Sequence, residues 1–161
     1  MILHTMTDQL TDPALSPVSL VIPCRPEYVS LCRLVVGAIG ARDGLDGEVV
    51  ADIKVIVTEA CNCFLGMASG PSEGAGSCGG AATGAADSDC SIRMEFDCRP
   101  DEFVISALYP EKRELVSWLG SCDPLSEAGL GLTILKALAD DMVEIADPEG
   151  TVLRLTKRLP A

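Results

Sequence analysis

Apolar residues in this chain recur at two different spacings, and the boundary between them limits what it can fold into. Before Ser69 they fall three and four residues apart. After Cys90 they first alternate every second residue. Between the two lies SGPSEGAGSCGGAATGAADSD, Ser69 to Asp89, which is nearly devoid of large apolar side chains. The first spacing belongs to amphipathic helices and the second to half-buried strands. The intervening segment cannot contribute to a core and reads as a disordered insertion. Its glycines do not make a phosphate loop, because no strand leads in and no Gly-Lys-Ser/Thr ends it.

Element by element, Val18 to Ile22 is a short apolar run closed by Pro23, which suits a strand. Pro26 opens a helix in which Tyr28, Leu31, Cys32, Val35 and Ile39 recur at helical steps. "RDGLDG" ends it. A second helix runs from about Glu48 to Met67, with Val50, Ile53, Val57, Ala60, Cys61 and Phe64 on one face. Ile92, Met94, Phe96 and Cys98 form one alternating strand, and Phe103 to Leu108 a second. A short helix is possible around Leu115 to Leu119. "EAGLGLTILKALADD" gives a further helix, with Leu130, Ile134 and Leu138 on a stripe. Met142 to Ala146 and Thr151 to Leu155 close the chain as a hairpin across "DPEG". The order β-α-α-β-β-α-β-β predicts an α+β fold, a mixed and mostly antiparallel sheet with helices on one face. Residues 1–16 are polar and interrupted by Pro13, so they form a flexible N-terminal arm, and residues 17–160 form one domain.

The 161 residues suffice for a single core, and 48% are hydrophobic but only 4% aromatic, so the core is aliphatic. A net charge of -12 argues against nucleic acid and against an anionic membrane surface, both of which attract clustered Lys and Arg. The N-terminus has no basic n-region, and no run reaches the roughly 18 apolar residues of a membrane span. A cytoplasmic location follows as the expectation. Eight cysteines are many for that compartment, yet they include no Cys-x-x-Cys pair, and the only histidine is His4. Buried thiols are therefore expected rather than a metal site.

"LVIPCRPEYVSLCRLVVGAIGARDGL", "VADIKVIVTEACNCFL" and "EAGLGLTILKALADDMVEI", in this order, resemble the bacterial anti-sigma factor serine kinases of the RsbW/SpoIIAB type. These belong to the gyrase and histidine-kinase ATP-binding superfamily. The resemblance covers about Val18 to Leu159 apart from the Gly-rich insertion. It implies the two-layer α/β sandwich of the Bergerat type, ATP and magnesium as cofactors, and a possible homodimer. As partners it implies a sigma factor and/or a STAS-domain anti-sigma antagonist.

The resemblance also assigns residues. Glu59 occupies the position of the family's general base, in a motif that reads Glu-Ala-x-Thr-Asn-Ala. Cys63 stands where the family has its magnesium-binding Asn, and Met67 where it has a His. Asn62 comes one residue early, about 100° around the helix. Magnesium takes hard oxygen ligands, which a thiol does not replace. The adenine-binding Asp-x-Gly-x-Gly is also missing, with Leu108 or a neighbour at the Asp position. Gly129, Leu130, Gly131, Leu132 and Thr133 match the motif opening a late helix. There the amides could hold phosphates, or the glycines could simply allow close packing. The expectation is an anti-sigma binding module with weak or absent use of ATP and magnesium. Two alternatives stay open: a working serine/threonine kinase, and a thiol-based redox sensor suggested by the number of cysteines.

Overall fold

A computed structural model describes residues 17–68, 90–110 and 114–160. The flexible arm expected at 1–16 and the insertion expected at 69–89 lie outside the described residues. Strand β1 spans Val18–Pro23. A 3-10 turn at Pro26–Tyr28 leads into helix α1, Val29–Asp43. Helix α1 stops at Gly44, which has φ +68° and donates its N–H to the Gly40 carbonyl. That left-handed conformation favours glycine, as in common helix ends. Helix α2 follows, Gly47–Ala68. Strands β2 (Ser91–Cys98) and β3 (Glu102–Tyr109) come next. Helices α3 (Leu115–Ser121) and α4 (Glu127–Leu138) precede the hairpin of β4 (Asp141–Asp147) and β5 (Gly150–Arg158).

The five strands form one sheet in the order β1-β2-β3-β5-β4, and all its pairings are antiparallel. Strand parity sorts the side chains. Ile92, Met94 and Phe96 of β2, Phe103, Ile105 and Ala107 of β3, and Leu153 and Leu155 of β5 are buried. Arg93 and Glu95, between the first three, are exposed. Helix α1 lies over β2, α2 over β3 and β5, and α4 over β4. This is the two-layer arrangement expected from the order of elements. Lys157 of β5 ties the layers together: its ammonium is 3.1 Å from Asp52 of α2 and 2.9 Å from the Leu138 carbonyl ending α4.

Two helical stripes differ from those read off the sequence. On α1 the buried residues are Val29, Cys32, Val36, Ile39 and Gly40, while Leu31 and Tyr28 remain exposed. Pro26 starts a 3-10 turn there, so Tyr28 lies before the α-helix, while Cys32 and Ile39 of the expected face are buried. On α4 the buried residues are Gly129, Gly131, Leu132 and Leu135, and Leu130 is exposed. That helix buries its glycines because Gly131 lies close against α2 and Gly129 close against the backbone at Asp123 and Pro124.

Candidate functional site

The site forms where α2 and α4 touch. Ile53, Ile56, Val57, Ala60, Cys63 and Phe64 of α2 are buried, which fixes the rotation of the helix. Glu59 then falls at the edge of the buried face and is half-buried. A Cβ added at Gly131 of α4 would lie 3.0 Å from Glu59 Oε2 and 3.9 Å from Cys63 Sγ. The missing side chain at 131 thus lets α4 approach the carboxylate and the thiol of α2 together.

Ser126 caps the N-terminus of α4, its hydroxyl accepting from the Gly129 N–H at 3.2 Å. The same hydroxyl donates to the Asp123 carbonyl at 2.6 Å. A Cβ at Gly129 would press on that carbonyl oxygen and come within 2.8 Å of Pro124 Cα. Gly129 therefore holds the loop at 123–124 against the first turn of the helix. Farther along, Thr133 donates its hydroxyl back to the Gly129 carbonyl at 3.0 Å.

The five residues matched to a phosphate-binding motif split between two faces of α4. Gly129, Gly131 and Leu132 are buried, while Leu130 and Thr133 are exposed. Asn62 is exposed and hydrogen-bonds the Glu59 carboxylate through its side chain. The three-residue separation on one helix accounts for that contact. Leu108 sits on the sheet face away from the helices. At the end of β3 the side chain facing the helices is Tyr109, fully buried and stacked on Phe64 of α2. The ring centroids are 5.3 Å apart with 16° between planes.

Burial raises the Glu59 pKa; the Asn62 hydrogen bond partly opposes this, and the Glu127 carboxylate adds to it. Burial also pushes the Cys63 thiol up to about 12, with further contributions from Glu59 and Cys122. The site thus combines a carboxylate that holds its proton more tightly than usual with a thiol that stays protonated at neutral pH. Glu127 and Cys122 were not anticipated from the sequence. Glu127 opens α4 two residues before Gly129, where an acidic residue suits a helix N-terminus, so it carries no separate signal. Helix α3, just before this loop, is held by Glu144 of β4, whose two carboxylate oxygens accept from the N–H groups of Leu115 and Val116 at 2.7 and 2.9 Å.

Residues 22–157 match the family model of the histidine kinase-like ATPase domain. The chain belongs to that family. Its curated relatives include the serine-protein kinase RsbW of Bacillus pumilus, 27% identical over 150 residues, covering 88% of this chain and 85% of that protein. The RsbW kinase of Bacillus subtilis is 26% identical over the same span and shares. The anti-sigma-F factor RsbW of Mycobacterium tuberculosis is 28% identical over 133 residues, or 81% of this chain and 62% of that protein. A solved structure of the RsbU and RsbW domains of a Mycobacterium tuberculosis protein aligns with a TM-score of 0.55 at 15% identity. It covers 91% of this chain, which spans about a third (34%) of that one, and supports the fold.

Proposed function

We propose that this chain is an anti-sigma regulatory factor of a bacterial partner-switching system. It binds a sigma factor and/or a STAS-domain anti-sigma antagonist in the cytoplasm, and its use of ATP is impaired. The near full-length similarity to RsbW proteins supports the binding role. One observation supports the impairment: Cys63, which the resemblance aligns with the family's magnesium-binding Asn, is buried with its pKa pushed up to about 12, beside a Glu59 whose charged neighbour is Glu127.

Phosphoryl transfer depends on cations and hard oxygen ligands that neutralise and align the phosphates. A protonated thiol supplies neither, and two carboxylates repel the phosphates. Near Leu108, where or beside which the resemblance puts the Asp that receives the adenine amino group, the buried side chain is Tyr109 stacked on Phe64, which offers no carboxylate. The residues present do not fit magnesium–ATP as the family holds it, and binding of protein partners is the activity that outlasts the loss. A working kinase is the second reading. It is favoured by Glu59 itself, whose raised pKa moves it toward the range of an effective general base.

One titration series separates the two readings. The full chain is titrated calorimetrically with the sigma factors and STAS-domain antagonists of its own genome, then with magnesium–ATP. Micromolar binding of a protein partner with no ATP heat, unchanged in Cys63→Asn, is the expected outcome. Micromolar ATP affinity, with phosphate transfer to an antagonist abolished by Glu59→Ala, would establish the kinase instead. Absence of binding to every candidate partner would end the anti-sigma reading.

A further inference from the structure

Strands β1 and β2 pair in register from Val18↔Phe96 to Pro23↔Ser91. One step beyond, Cys24 faces Cys90, and the Cys24 N–H donates to the Cys90 carbonyl at 3.0 Å. Their Sγ atoms are 2.6 Å apart, although 66 positions separate them in the chain. We propose that Cys24 and Cys90 are a dithiol/disulfide site, closed by a low-molecular-weight disulfide and reopened by small thiols. It is independent of the binding role proposed above.

Several observations carry this beyond the mere abundance of cysteine. The sheet register and a backbone hydrogen bond bring the two residues face to face, so no rearrangement of the chain is needed. A disulfide bond of about 2.05 Å requires the sulfurs to close by only about half an ångström. Cys90 is half-buried, so a small oxidant can reach one partner, while Cys24 lies just beneath at 8% exposure. Cys32 and Cys61 give the contrast. They also neighbour one another, between α1 and α2, but both are 0% exposed and shielded from any reagent.

The step balances as thiol–disulfide exchange. The Cys90 thiolate attacks one sulfur of the small disulfide and expels one thiolate, leaving a mixed disulfide. Cys24, giving up its proton, attacks the Cys90 sulfur and expels the second. The two protein thiols lose two electrons and two protons, and the small disulfide becomes two thiols. In a reducing compartment the pair rests as the dithiol, and protein disulfides there are transient or redox-sensing. Closure bridges the turn into α1 to the start of β2 and encloses α1 and α2 in one loop. A cross-link of that span restricts the unfolded chain, so the oxidised form is the more heat-resistant.

The test uses the reduced full-length chain, incubated with oxidised glutathione at pH 8, alkylated and mapped by mass spectrometry without reduction. The expected product is a peptide pair joined through Cys24 and Cys90, lighter by two hydrogens and separated again by dithiothreitol. The oxidised protein should melt roughly 5–10 °C higher than the reduced one. Cys90→Ser should abolish both the linked peptide and the shift. It replaces the more exposed partner, so the fold is retained even if Cys24→Ser unfolds. Full alkylation of Cys24 and Cys90, linkage of Cys90 to any other cysteine, or a stable glutathione adduct without closure would overturn the proposal.

Discussion

Helices α2 and α4 meet at the site, yet they bury themselves by opposite means. Helix α2 presents Ile53, Ile56, Val57, Ala60 and Phe64, most of them large side chains filling the space above β3 and β5. Helix α4 presents Gly129 and Gly131 with Leu132 and Leu135, and turns Leu130 toward solvent. One helix gains its position from volume and the other from the absence of volume. Removing atoms should therefore damage the first, and adding atoms should damage the second.

The largest expected effect lies on α2. Phe64 is fully buried and stacked on Tyr109, so Phe64→Ala leaves a cavity and removes the ring stacked on Tyr109. A loss of about 3–5 kcal/mol is expected, read as a lower midpoint in urea denaturation. A loss below about 1 kcal/mol would mean that this face collapses freely and is not held by volume.

On α4 the expectation inverts. Gly129→Ala adds a single methyl group, but it presses on the Asp123 carbonyl and on Pro124, which are backbone and cannot swing aside. About 2–3 kcal/mol should be lost, although alanine is the better helix former. Leu130→Gln, one residue along, removes an apolar side chain that is 46% exposed and should change stability by less than about 0.5 kcal/mol. Equal effects at 129 and 130 would break the contrast between the helices.

The same contrast explains what could be read from the sequence. Helix α2 was legible because large apolar residues mark a buried face, and its expected span and face agree closely with Gly47–Ala68. The strands were legible through alternation, and Ile92, Met94 and Phe96 are indeed the inward residues of β2. The α4 stripe was not, since periodicity scores Leu130 as apolar and cannot know that Gly129 faces the loop at 123–124 and Gly131 faces α2. On α1 Cys32 and Ile39 of the expected face are buried, while Tyr28 falls in the 3-10 turn before the helix and Leu31 is exposed. At the site, Glu59 and Cys63 were visible one-dimensionally within α2. Their contact with Gly131, and the carboxylate of Glu127 nearby, come from the helix crossing, which no local pattern encodes. Strand parity could have found Tyr109, since it shares the face of Ala107 and Leu108 does not.

The smallest effect sharpens the comparison at the one point where the two helices share a charge. Glu59 is half-buried beneath Gly131, and burial followed by Glu127 raises its pKa against the pull of Asn62. A carboxyl group whose pKa is higher in the folded state binds more protons there than in the unfolded chain. Its contribution to stability is therefore most favourable in acid and declines as pH rises from the ordinary value of 4.5 through the folded value. Glu59→Gln keeps the shape and the acceptor for Asn62 but removes the titration. The variant should be more stable than the parent at pH 7, by less than about 1 kcal/mol because solvent still reaches the group and screens it. Below pH 4 the difference should disappear. Urea midpoints of both proteins from pH 3.5 to 8 would show it as two curves that diverge upward in pH. A parent that gains stability relative to the variant as pH rises would mean that Glu59 has a cationic partner, and the contact of α2 with α4 would then be an ion-pairing site and not a close approach made by glycine.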